Sequence, residues 1–377
     1  MTEATARAAE PDEVDEIDDD PDLNSTAEQA EALNLSTEER RLVTQPYDLG
    51  VRAISDDIKA GRISLTIEYQ RKYVWDLGKA SRLIESLLLN VPIPVCYFAE
   101  DSNGVFEVID GLQRLSTIKQ FLDGDVTLTG LSVLTELEGK VFAELAPRDQ
   151  RRLEGRTIRC IVITEDSHPD IKFDVFERLN TGAASLTAQE LRNSVYRGSL
   201  NDALKTLAKE PYFTPLMGVH GNKRMDYEEI ILRYLALVTG ESYKPPLRQF
   251  LNEYMRSNQT STLSRAEVDR FEDVCRTVSE VLGDSPFRLA GSKTPVNKAF
   301  FDAVMVPVAF ADRDQVRAKA GEVRQFVESL SDNDDFRASI GRATADRTRM
   351  VSRVNAVSDG LVALGVTVSL PSHLARA

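Results

Sequence analysis

Val105 to Leu122 reads VFEVIDGLQRLSTIKQFL. Its first five residues form a short apolar run that ends at Asp110-Gly111, the pattern of a buried strand. Leu115, Ile118, Phe121 and Leu122 then recur at helical spacing, so a helix opens at Leu112 or Gln113. A strand that turns on one glycine into a helix aims the helix's first N–H groups above the strand end. Those groups and the helix dipole favour an anion such as a phosphate. Asp110 stands at the turn, where it can hold a metal ion or orient water. Arg114 stands one turn into the helix, with a planar fork suited to phosphate. A plain structural reading fits the same residues, because Asp-Gly is a common turn and Asp a common helix N-cap.

Around this stretch the pattern is of strands and helices together. Residues 49–61 read as an amphipathic helix, followed by extended chain through Ile63, Leu65 and Ile67. Gly78 to Asn90 is a helix with Leu83, Ile84, Leu87 and Leu88 inward. Asn103-Gly104 is a hairpin turn signal, so Val95–Phe98 and Val105–Ile109 should pair antiparallel. Thr157 to Thr164 is a third, central strand. From about residue 199 strand signals give way to helical ones, at Leu200–Lys209, Tyr227–Val238, Arg265–Leu282, Ala299–Phe310, Gln315–Leu330 and Thr344–Leu364. The expected class is α+β, a mixed-sheet domain followed by an all-helical one.

Two further blocks carry chemistry. Ile67 to Asp76, IEYQRKYVWD, sets Tyr69, Tyr73 and Trp75 around Gln70, Arg71 and Lys72. The cations can neutralise phosphates and the rings can stack on bases, or the rings can line a strand's core face. Phe173 to Gly198, FDVFERLNTGAASLTAQELRNSVYRG, has a helical stripe, the loop Asn180-Thr181-Gly182, and a helix starting near Thr187. Thr187 and Glu190 form a capping signal. Asn180 offers both a donor and an acceptor to a nucleotide. Arg192 can reach a phosphate or pair with Glu190 or Gln189.

In this order the three blocks resemble the N-terminal domain of GmrSD-type restriction endonucleases, a ParB-like nucleotidase domain with a DGQQR motif. The resemblance covers roughly residues 45 to 200. Leu112 stands where the motif has its first glutamine, while Asp110, Gly111, Gln113 and Arg114 are kept. The resemblance implies a ParB/sulfiredoxin-like sheet domain at 43–198, between an acidic tail at 1–42 and a helical domain at 199–377. It implies a nucleotide-binding or nucleotide-hydrolysing module of a phage-defence, modification-dependent restriction system. Asp110, Gln113 and Arg114 would be catalytic, with Mg²⁺ on Asp110. Gln70, Arg71, Gly111, Asn180 and Arg192 would hold an NTP. Tyr69, Lys72, Tyr73 and Trp75 would sense modified phage DNA. The rival reading is a ParB-like DNA-binding or antitoxin-like protein without turnover.

Composition bounds these readings. A chain of 377 residues with 42% hydrophobic content can bury a sizeable core. It has no run of about 18 apolar residues, so no membrane span is expected. Cys96, Cys160 and Cys275 are widely spaced with no CxxC, which suits a reducing cytoplasm, and Cys96 and Cys160 sit in apolar runs and read as core residues. His168, His220 and His373 stand apart, with no HNH nuclease pattern, so DNA cleavage would fall to a separately encoded nuclease. Homo-oligomerisation stays open. Residues 1–40 hold 14 acids against Arg7 and Arg40, a balance of -12 within the chain's -14. The remaining chain is therefore nearly neutral, and the overall acidity does not argue against nucleic-acid binding. A segment so acidic and free of aromatics is expected to be disordered.

Overall fold

A computed structural model describes residues 41–65, 73, 75–179, 186–218, 221–222, 224–240, 243–244, 246–289, 296–341 and 344–375. The tail expected at residues 1–42 lies outside them except for its last two residues. Among the described residues, five strands form one mixed sheet: β1 (Thr44–Gly50), β2 (Ile63–Ser64), β3 (Cys96–Glu100), β4 (Phe106–Asp110) and β5 (Thr157–Ile163). Their order is β1-β5-β3-β4-β2. β1 runs antiparallel to β5, β5 parallel to β3, β3 antiparallel to β4, and β4 parallel to β2. Thr157–Ile163 is thus interior, but the middle strand is β3.

The hairpin forms where the sequence places it. Asp101 Oδ1 accepts from the N–H groups of Asn103 (2.9 Å) and Val105 (2.8 Å), and Gly104 takes a left-handed φ of 74°. That geometry suits Gly. Among the described residues six α-helices belong to this part: α1 (Val51–Lys59), α2 (Leu77–Leu89), α3 (Leu112–Asp123), α4 (Pro147–Glu154), α5 (Pro169–Leu179) and α6 (Ala188–Val195). Asp76 caps α2 by accepting from Lys79 N at 2.7 Å. Thr187 and Glu190 form the expected reciprocal capping box on α6.

Period-two alternation divides the sheet's apolar residues between two cores. Cys96, Phe98, Val108, Ile158, Cys160 and Val162 face a cluster that includes Leu83, Leu87, Leu115 and Phe121. Ala99, Ile109 and Ile163 join a second cluster with Phe173, Phe176, Tyr196 and the helical remainder. So α5 and α6 share a core with the helices that follow them.

Those helices are α7 (Ser199–Leu207), α8 (Phe213–Leu216), α9 (Asp226–Thr239), α10 (Leu247–Ser257), α11 (Arg265–Leu282) and α12 (Lys298–Ala309). The chain then continues through α13 (Arg313–Ala318), α14 (Ala320–Ser329), α15 (Asp334–Gly341) and α16 (Arg347–Ala363). The single helix expected at Gln315–Leu330 is broken at Lys319, whose backbone leaves the helical region at ψ 27°. The fold is α+β, a mixed sheet with its helices followed by a helical region. No described helix is long and apolar enough to cross a membrane.

Candidate functional site

The site is built where β4 meets α3. Asp110 is the last residue of β4 and Gly111 is the N-cap of α3. The structure therefore removes one reading of Asp110, because the aspartate is not the helix cap. Gly111 sits at φ 106°, in the left-handed region, and has no side chain with which to cap the first turn. It also lies close over β3. A Cβ placed on it would come within 2.5 Å of Cys96 Sγ and 3.1 Å of Cys96 Cβ. Both the φ and the close approach require glycine here.

Arg114 lies across this turn. Its Nη2 donates to Asp110 Oδ2 at 2.8 Å. Its Nη1 donates to the carbonyls of Pro94 and Val95, which lead into β3. The Arg114 side chain is 11% exposed and the Asp110 side chain 42%. A nearly buried guanidinium thus holds a carboxylate at the surface. Arg114 is spent on anchoring Asp110, and this differs from the free phosphate fork expected of it. The arginine positions the carboxylate, and the carboxylate is the more exposed of the two.

Beneath the turn, Cys96 and Cys160 are direct partners across the parallel strands β3 and β5. The Cys160 thiol donates to the Ile158 carbonyl at 3.6 Å, and its closeness to Cys96 holds the Cys96 thiol below its usual value and pushes Cys160 up. Sequence reading placed these cysteines in the core but did not foresee that one of them floors the Gly111 turn. Only the strand register brings them together.

The other expected residues divide into three groups. Gln113 lies beside Arg114 in the first turn of α3, half-buried, and its carbonyl accepts from Thr117 Oγ1 at 2.8 Å. Tyr73 and Trp75 are half-buried and pack against the sheet's first core. The Tyr73 hydroxyl hydrogen-bonds Thr117 Oγ1 on α3 at 2.9 Å, so Tyr73 fastens its segment to the helix that starts at Gly111. Arg192 is placed elsewhere. It is fully buried, donating to Asn252 Oδ1 (2.8 Å), Gln189 Oε1 (3.2 Å) and the Arg248 carbonyl (3.4 Å), above the Phe173 ring. Burial pushes its pKa down to about 10. This corrects its assignment to an NTP: an arginine with no exposed surface packs the helical core, and its pairing with Gln189 is the reading that holds. Tyr69, Gln70, Arg71, Lys72 and Asn180 lie outside the described residues.

Among the described residues no three His, Cys, Asp or Glu side chains converge as a metal cage. Asp110 offers one half-exposed carboxylate at this turn. Mg²⁺ commonly keeps several waters and takes one or two carboxylates together with substrate phosphates.

Residues 53–197, from α1 to α6, match the family described as the GmrSD restriction endonuclease, N-terminal domain. The resemblance drawn from the three sequence blocks stands, and this segment carries that domain. No curated protein and no solved structure matches the chain.

Proposed function

We propose that this chain is the nucleotide-binding and nucleotide-hydrolysing module of a DNA restriction system, working in the cytoplasm with a separately encoded nuclease. One observation carries the reading. A half-exposed carboxylate, Asp110, is held by the nearly buried Arg114 beside a helix N-terminus that no side chain caps. The amides and dipole of α3 favour the phosphates of an NTP. Asp110 would hold a divalent cation carried by those phosphates or orient the attacking water. Mg²⁺, when bound, supplies charge neutralisation at the phosphates. Arg114 keeps the Asp110 carboxylate aimed at the ligand. Gln113 is the nearest amide side chain along the same turn. Gln70, Arg71 and Asn180 are the further NTP contacts, and Tyr69, Lys72, Tyr73 and Trp75 the proposed sensors of modified phage DNA. The family match supports the restriction setting, and the turn geometry supports the nucleotide.

Phosphate release from each NTP, with and without Mg²⁺, tests the proposal on wild type and Asp110→Ala. Release by the wild type that Asp110→Ala loses is the expected result. Equal turnover by both proteins overturns the catalytic assignment. A second reading, ParB-like binding without turnover, is favoured by one detail: Arg114 is already engaged with two backbone carbonyls. NTP binding by the wild type with no phosphate release would select it.

A further inference from the structure

We propose that the outward face of α4 is a contact surface for the phosphate backbone of double-stranded DNA. The inference rests on the reading that this chain works on DNA, and it adds a surface separate from the Asp110 turn. α4 has the sequence PRDQRRLE. Arg148, Arg151 and Arg152 are exposed, while Leu153 is buried at 1%. At 3.6 residues per turn, the three arginines fall in an arc of about 100° opposite Leu153 and Gln150.

The helix is pinned so that this face cannot roll inward. Gln150 Nε2 donates to the carbonyls of Phe142 (3.1 Å), Ala143 (3.2 Å) and Leu145 (3.0 Å), fixing the turn before the helix. Just past its end, Arg156 donates to the carbonyls of Leu87 and Leu88 and to Asn90 Oδ1, fastening the chain to the C-terminus of α2.

Several other cations of the sheet domain are already neutralised. Arg52 pairs with Asp56 and Glu154, Arg62 with Asp57, Arg159 with Asp48, and Lys59 and Lys119 with Asp123. The side chains of Arg148, Arg151 and Arg152 have no ion-pair or hydrogen-bond partner among the described residues. Three unpaired guanidiniums on one rigid face suit phosphate oxygens, which they can take through two N–H groups each. The helix carries no aromatic residue, so it offers no base-stacking platform. Backbone binding of this kind positions a duplex without reading its bases. Binding through α4 is therefore indifferent to sequence and to base modification.

The test uses the full chain and a short labelled duplex, titrated across a series of salt concentrations. Compared are wild type, Arg148→Gln/Arg151→Gln/Arg152→Gln, and the matching triple lysine variant. The glutamine variant should bind more weakly. Its plot of log affinity against log salt should be shallower by roughly 0.9 for each phosphate that is no longer neutralised. The weakening should be equal on duplexes of unrelated sequence and on modified DNA. The lysine variant should keep most of the salt slope, which separates a charge effect from a folding defect. NTP hydrolysis without DNA should be unchanged in both. If the wild type binds duplex and the glutamine variant matches it in affinity and slope, this inference falls alone. If the wild type binds no duplex, the DNA part of the proposed function falls with it, while the NTP assay stands separately.

Discussion

In the proposed function Asp110 and Arg114 divide one task, in which the acid meets the ligand and the arginine fixes the acid. Arg114→Ala should therefore lower kcat of NTP hydrolysis more than it raises KM, because the carboxylate is set adrift while the α3 amides remain. Arg114→Lys should recover only part of the rate, since one ammonium cannot reproduce a planar fork spanning Asp110 and the Pro94 and Val95 carbonyls. A pure KM effect in Arg114→Ala would instead make the arginine a ligand contact. Gly111 makes a second test at this scale. Gly111→Ala combines a left-handed φ of 106° with a collision on Cys96 Sγ. It should cost about 3 kcal/mol of stability in urea melts. Adding Cys96→Ala removes the collision with Sγ but leaves the 3.1 Å approach to the residue's Cβ and the backbone strain, so the double variant should be less destabilised than the two single effects added together. Strict additivity would show that the close approach is not felt. Gly111 was legible in the sequence, because a strand-to-helix turn needs a glycine. Cys96 beneath it was not, because periodicity along one strand says nothing about the partner across the sheet. Arg192 misled for a related reason: its charge suggests surface, and only tertiary packing shows it capped by Asn252, Gln189 and a carbonyl.

Among the elements, a carboxylate on α2 ties that helix to the chain beyond α3. Glu85 on α2 accepts from the N–H groups of Ser132 (3.3 Å), Val133 (2.7 Å) and Leu134 (2.9 Å), and from Ser132 Oγ (3.2 Å). Burial alone would raise its pKa, but the backbone N–H groups of Leu134, Val133 and Ser132 outweigh burial and hold the carboxyl below its usual range. A lowered folded pKa means stability that is fully present above the ordinary Glu value of about 4.3 and lost as pH falls through the folded value. Glu85→Gln should destabilise by about 2 kcal/mol at neutral pH. The difference in Tm between variant and wild type should shrink as pH drops below about 4. A gap that stays constant from neutral to acid pH would remove the charge from the explanation. Elements with strong local signals were legible, the Asn103-Gly104 hairpin and α11 (Arg265–Leu282) among them. β1 was not: TQPYDLG carries Pro46, is largely exposed, and gains its strand only by pairing with β5 along the sheet edge. The stop at Lys319 between α13 and α14 was also hidden, since the apolar spacing of Val316, Val323 and Val327 runs on through it.

Across the whole molecule, charge is distributed unevenly. Residues 1–40 carry a balance of -12, and the rest of the chain is left at -2 from the total of -14. A polyanionic segment on the same chain competes with a polyanionic ligand for the same cations, and its local concentration is high because it is tethered. The unpaired arginines of α4 are among the cations of the described sheet domain that such a segment can meet. Removing residues 1–40 should therefore tighten binding of duplex DNA. The gain should be largest at low salt and fade as the Debye length shrinks to about 8 Å at 0.15 M ionic strength. In the α4 glutamine variant the same truncation should give a much smaller gain, because the contested cations are gone. The Tm should barely move on truncation, since a segment this acidic and poor in apolar residues has little surface with which to offset the entropy of ordering. Anisotropy titrations of the four proteins, at two salt concentrations, supply the comparison. Equal gains from truncation in the wild type and the α4 variant would mean that the acidic segment acts through general repulsion of DNA and not by occupying α4. A large fall in Tm would mean that it is part of the folded core.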